Sequence, residues 1–181
     1  MRRTLFEDVH EDFRASFRTF LARKVIGEEG RYGEWERAGI VPREVFARAG
    51  RGGFLGMAVP ERHGGAGAED FRFNLVIGEE VQLAGVGSFG LGITLHNDIC
   101  LPYFLTYCTE PQRERWLDGI ASGELITALA MTEPGIGSDL ANMSTRARRE
   151  GKSTAALIRE GIELRLKAPA ITGASAMPVK T

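Results

Sequence analysis

Two hydroxyls and a carboxylate stand around one turn of this 181-residue chain: Thr132, Ser138 and Asp139 flank Pro134, Gly135 and Gly137. Pro134 fixes its own φ and removes a backbone donor. The two glycines permit dihedrals and close backbone approach that a Cβ would forbid. A rigid, hydroxyl-rich loop of this kind suits a flat polar ligand. The plain alternative is a Pro-Gly turn with Asp139 as a cap, and Gly-x-Gly alone does not separate the two. Asn97 and Asp98 are the next candidates, because they interrupt an apolar stretch and buried polar groups need partners. They either line a ligand pocket or make a helix-packing hydrogen bond. His63 sits in the loop Glu61–Gly67 without a nucleophile or ligand near it in sequence, and reads as a surface-loop histidine. Glu79 and Glu80 are helical neighbours, which do not face one another, so they read as a solvated charge pair and not an acid–base dyad.

Several elements must position these residues. Phe6, Val9, Phe13, Phe17, Phe20 and Leu21 recur at helical spacing and predict an amphipathic helix over about 4–28, with the phenylalanines as core. Gly27 and Gly30 end it. A polar segment containing Trp35 follows. A short helix is predicted from Pro42 to about Ala49, closed by glycines at 50–53. A third runs from about Glu69 to Leu83, its apolar side made by Phe71, Leu75, Val76, Val81 and Leu83. A fourth runs from Phe89 to Tyr107 with Leu91, Leu95, Ile99 and Leu101 on one face. Thr109, Pro111 and Gln112 form a capping-box start for a fifth, which buries Trp116, Leu117 and Ile120 and ends at Gly123. Leu125 to Met131 is long enough for one buried strand, and residues 143–150 read as a strand with a charged outer face. The fold expected is mainly α: an up-and-down helical N-terminal domain over 1–122, then an incomplete β domain over 123–151, then a divergent tail over 152–181.

The totals set limits. Net charge is −1, so no basic excess is present to neutralise phosphates and nucleic acid is not expected as a partner. The two cysteines, Cys100 and Cys108, have neither Cys-x-x-Cys nor metal-ligand spacing, which points to free thiols in a reducing compartment and to no metal site. The first residues lack the apolar core of a signal peptide, and no apolar run approaches the ~20 residues of a membrane span. A cytoplasmic protein is expected.

In this order, the residues Ala128-Leu129-Ala130-Met131-Thr132-Glu133-Pro134-Gly135-Ile136-Gly137-Ser138-Asp139-Leu140, followed by Thr145-Arg146-Ala147, resemble the acyl-CoA dehydrogenase family. Gly53-Phe54-Leu55-Gly56 with Pro60-Glu61 and Gly64-Gly65, Leu95-His96-Asn97-Asp98-Ile99, and Glu110 to Leu117 match its pattern upstream. The long-chain branch is the nearest in feel, and the resemblance spans 4 to about 151. It implies an oxidoreductase of lipid metabolism that binds FAD and catalyses α,β-dehydrogenation of an acyl-CoA thioester, in a homotetramer whose electrons pass to electron-transfer flavoprotein. Carried over by position, Leu129 to Ser138 is the FAD-contacting run: Met131 packs on the flavin ring, Thr132 bonds its polar edge, and Gly137 and Ser138 contact the cofactor, with Ser138 also near the acyl-CoA. Asn97 is a candidate lining residue of the acyl pocket. The resemblance stops near Gly151. Residues 153–160 permit a helix, or the first arm of a hairpin turned at Glu160-Gly161. The family's glutamate base falls in a C-terminal domain not seen in this sequence, so no catalytic residue is assigned, and a truncated or frame-shifted relative is expected. The alternatives are a non-catalytic acyl-CoA- or protein-binding helical module and a gene remnant.

Overall fold

The first helix, α1 (Asp8–Phe20), starts where the Glu7 N–H donates to His10 Nδ1 at 3.1 Å. It continues without a break into a π-helical segment, Leu21–Ile26. The computed structural model describes residues 4–27, 30–132 and 137–139, in two units, Met1–Ala130 and Met131–Thr181. In the first unit α2 (Tyr32–Ala38), α3 (Arg43–Arg51), a 3-10 turn (Glu61–His63) and α4 (Arg72–Leu83) follow. Then α5 (Gly87–Thr94), a second π segment (Leu95–Cys100) and α6 (Leu101–Tyr107) run end to end as one rod. The last helix, α7 (Glu110–Ser122), starts on the expected Thr109–Gln112 capping box. Among the described residues every regular element is helical. The helix through Trp35 escaped the sequence because its seven residues are too few to show a period.

The core explains the phenylalanine stripe. Phe54, in the connection after α3, receives Phe13, Phe17 and Phe20 at ring-centroid distances of 5.5, 4.9 and 5.2 Å. Edge-on and tilted pairs at this spacing are the favoured aromatic arrangements. A smaller cluster of Val59, Leu101, Leu117, Ile120 and Ala121 holds α6 against α7.

Several expected faces are turned. Val9 is 54 % exposed, and His10 is buried in its place. On α4 the buried residues are Val76, Ile77, Glu80 and Val81, while Phe71, Leu75 and Leu83 are exposed. On the long rod Phe89, Ile93, His96, Asn97, Cys100 and Leu101 face inward, and Leu91 and Ile99 face out. His63 is buried rather than a surface histidine, and Arg62 Nε donates to its Nε2 at 3.2 Å. Glu80 is not solvated. It is 2 % exposed, and it accepts from Arg18 Nε and Nη2, both at 2.8 Å, and from Arg14 Nη1 at 3.1 Å. The Arg18 bonds hold its carboxyl below the ordinary range, against the opposing effect of burial.

Residues 126–132 carry no regular element, so the expected buried strand is absent among the described residues, and Leu125 and Leu129 are 42 and 40 % exposed. A strand exists only through hydrogen bonds to a neighbour, and no described residue provides one. Residues 140–181 lie outside the described residues, and with them the expected strand at 143–150 and the hairpin or helix at 153–167.

Candidate functional site

The chain leaves α7 under tight control. Gly123 ends the helix at φ 76°, and a Cβ there would meet the Phe46 carbonyl oxygen at 2.4 Å. Only glycine serves both demands. Arg43 Nη2 then donates to the Glu124 carbonyl at 2.8 Å, and the Leu125 N–H donates to the Gly119 carbonyl at 2.8 Å. Two residues on, the Thr127 N–H and Oγ1 lie 3.3 and 3.0 Å from His96 Nδ1. The other ring nitrogen, Nε2, is 3.0 Å from the Ile120 carbonyl. A carbonyl only accepts and a backbone N–H only donates, so the His96 proton resides on Nε2 and Nδ1 accepts. Burial lowers the His96 pKa below its ordinary value, and the bond to Ile120 offsets this only in part.

The neighbouring residues of the second π segment are wired elsewhere. Asn97 is 5 % exposed; its Oδ1 accepts from the Gly56 N–H at 3.0 Å and its Nδ2 donates to the Phe54 carbonyl at 2.9 Å. Both ends of the amide are used on backbone, which is the packing alternative for this residue. Gly56 itself sits at φ 61°, where a Cβ would come within 2.6 Å of Ala121 Cα. Asp98 accepts from Asn74 of α4. Burial raises its pKa, and the Asn74 bond works against that. Asp98 and Asn74 stand in a groove of about 530 Å³ along α4, among Phe71, Leu75 and Gly78. A second groove of about 370 Å³ lies between Phe104, Trp116 and the outgoing residues Leu125 to Ala128.

Leu129 of the first unit is 40 % exposed. In the second unit Met131 is 44 % exposed, Thr132 and Ser138 are exposed, and a Cβ at Gly137 would meet nothing within 4 Å. Glu133 to Ile136 lie outside the described residues. The structure thus brings Asn97 close to Phe54 and Gly56, and leaves Leu129, Met131, Thr132 and Ser138 each exposed. His96 is the functional-looking group that sequence reasoning passed over, and Glu80 is the one it read as solvated. The signal for His96 was its place beside Asn97 and Asp98 in an otherwise apolar stretch. Among the described residues no group of histidine, cysteine or acidic side chains could hold a metal ion, and no helix is long and apolar enough to cross a membrane. Cys100 and Cys108 are free thiols.

Residues 7–124 match the family described as acyl-CoA dehydrogenase, N-terminal domain. The long-chain specific acyl-CoA dehydrogenase, mitochondrial, of Mus musculus is 42 % identical over 149 residues, which is 82 % of this chain and 33 % of that protein. A crystal structure of an acyl-CoA dehydrogenase from Geobacillus kaustophilus superposes with a TM-score of 0.71 at 48 % identity, covering 79 % of this chain and 36 % of that one. A glutaryl-CoA dehydrogenase from Mycobacterium smegmatis, in complex with FADH2, gives 0.69 at 28 % identity, covering 81 and 36 %. The chain spans about a third of the length of the long-chain specific curated relatives it matches. It belongs to the acyl-CoA dehydrogenase family, and residues 7–124 are that family's N-terminal helical domain.

Proposed function

We propose that this chain supplies the helical wall and the first flavin-facing run of an FAD-dependent acyl-CoA dehydrogenase, with residues 1–122 as the helical domain, 123–151 as the start of the β domain and 152–181 as a divergent tail. The observation that carries it is the exposure of two large apolar side chains, Leu129 and Met131, directly after a segment tied down at Glu124, Leu125 and Thr127. The residues fit a flavin: apolar groups suit the face of a ring, and the hydroxyls of Thr132 and Ser138 suit its polar edge. Bound FAD supplies the hydride acceptor for α,β-dehydrogenation of the thioester. In this assignment Met131 excludes water from one ring face, Thr132 donates to the ring edge, and Gly137 lets backbone approach while Ser138 reaches cofactor and acyl-CoA. The groove beside Asn74 and Asp98 takes apolar substrate chain, whereas Asn97 holds the Phe54–Gly56 backbone and is not among the groove's lining residues. The α-proton needs a carboxylate base. None is assigned among these residues, and the base is placed in parts of the family fold beyond the N-terminal domain. Electron-transfer flavoprotein as acceptor, a homotetramer and a cytoplasmic location belong to the same proposal, the last supported by the free thiols.

A second function is acyl-CoA binding without turnover, favoured by the groove beside Asn74 and Asp98, which residues of the helical unit line by themselves. Titration of the purified 181-residue chain with FAD, followed by absorbance and fluorescence, separates the two. Saturable binding with a perturbed flavin spectrum supports the first. Binding of a long-chain acyl-CoA with no flavin binding supports the second and overturns the first. A dye-linked assay over acyl-CoAs of several lengths then tests turnover.

A further inference from the structure

The π segment at 95–100 places one histidine at the junction where the chain changes character. His96 is fully buried, and its two nitrogens face two different backbones: the last turn of α7, through the Ile120 carbonyl at 3.0 Å, and the outgoing segment, through Thr127 at 3.0 and 3.3 Å. Thr127 is two residues before Leu129. The other tethers on this segment, at Glu124 and Leu125, both precede it. The imidazole is therefore the last fixed point before the exposed run.

We infer that His96 is a positioning residue, an imidazole of one fixed tautomer that sets the path of residues 126–130 out of α7 and so presents Leu129 to a flavin; the flavin clause rests on the function proposed above. The tautomer matters because the two bonds have opposite sense. Nε2 gives a proton to a carbonyl, and Nδ1 takes one from an N–H. A ring in the other tautomer, or carrying both protons, meets the Thr127 N–H with a donor against a donor and keeps only the Thr127 hydroxyl, turned to accept. The segment would then lose the backbone half of its tether.

A pair of conservative variants separates positioning from simple packing. His96→Asn keeps a polar atom near the Nδ1 position and loses the Nε2 end. His96→Gln keeps the Nε2 end and loses Nδ1. Amide hydrogen exchange on the full chain without FAD is expected to speed up at Thr127 by about tenfold in H96Q, the effect of one buried bond lost, and to stay near wild type there in H96N. The FAD dissociation constant is expected to rise in the same order, with H96N the better binder even where its melting temperature is equal to or below that of H96Q. Equal Thr127 exchange in the two variants, or affinities that simply follow melting temperature, would overturn the inference. If H96Q does not fold, the ¹⁵N shifts of the wild-type imidazole decide: a protonated Nε2 with a bare Nδ1 supports it, and the reverse tautomer sinks it. A wild-type chain that binds no FAD defeats the proposed function alone, since the exchange measurement is made without flavin.

Discussion

The described residues contain two π-helical segments, Leu21–Ile26 and Leu95–Cys100, which are used in opposite ways. The first buries Leu21 and Val25 in the aromatic core and ends at Gly27, whose N–H bonds the Ala22 carbonyl at 2.9 Å. Its inward side is apolar. The second turns three consecutive polar side chains toward three different neighbours: His96 to α7 and Thr127, Asn97 to Phe54 and Gly56, Asp98 to Asn74. An i→i+5 turn is rarely kept without cause and is frequent at functional sites. The difference shows that the irregularity alone carries no function. What distinguishes the second turn is that each polar group it buries has a partner on another element, so the turn works as a junction.

Removing the junction's centre should have the largest effect. His96→Ala strands the Thr127 N–H and the Ile120 carbonyl and opens a cavity, and is expected to cost about 3–5 kcal/mol, read as a shift of the urea midpoint. Asn97→Leu keeps the volume but leaves the Gly56 N–H and Phe54 carbonyl unpaired, for about 2–4 kcal/mol by the same measurement. Leu21→Met, the matching isosteric change in the first segment, should cost under about 1.5 kcal/mol. If the two isosteric changes cost the same, the contrast between the segments fails.

The pH dependence sharpens the contrast. The His96 pKa is depressed by burial, so its contribution is whole above the unfolded value near ~6.5 and is lost as pH falls from there through the folded value. Urea unfolding at stepped pH should therefore show wild type losing more stability than H96Q in that window, and no such gap for Leu21→Met. Asp98 runs the other way. Its pKa is raised, so its contribution is whole below the unfolded value and lost as pH rises through the folded one. Asp98→Asn should be the smallest change, stabilising by up to about 0.5 kcal/mol at neutral pH because the half-buried carboxylate no longer has to stay charged. A clear loss instead would mean that the carboxylate has an ionic role.

How much of this was legible follows from the kind of signal each part gives. The phenylalanine stripe and the Thr109–Gln112 box announced α1 and α7, since both are local patterns. The flavin-facing role of the run from Leu129 to Ser138 is a proposal that rests on the family's glycine-loop motif. The inward faces of α4 and the long rod are only partly those expected: Val76, Val81 and Leu101 are buried, but the most apolar stripe as a whole is not the buried one. Leu91, Ile99 and Leu75 face out, whereas Glu80, His96 and Asn97 face in. Polar residues go inside only when partners meet them, and those partners lie far along the chain. Arg14 and Arg18 are more than 60 residues from Glu80, and no local pattern carries that pairing. Among the candidate site residues, Asn97 could be named but not placed, for the same reason.

That distance has a kinetic side. The bonds of the second π turn join residues separated by 24, 31, 41 and 43 positions. Closing such loops costs entropy before any contact rewards it, so these links should form after the folding transition state, with φ-values near zero. Weakening them would then leave the refolding rate almost unchanged and speed unfolding. The junction would act as a latch on an already folded bundle, setting how long residues 126–130 stay in place rather than how fast the helices assemble.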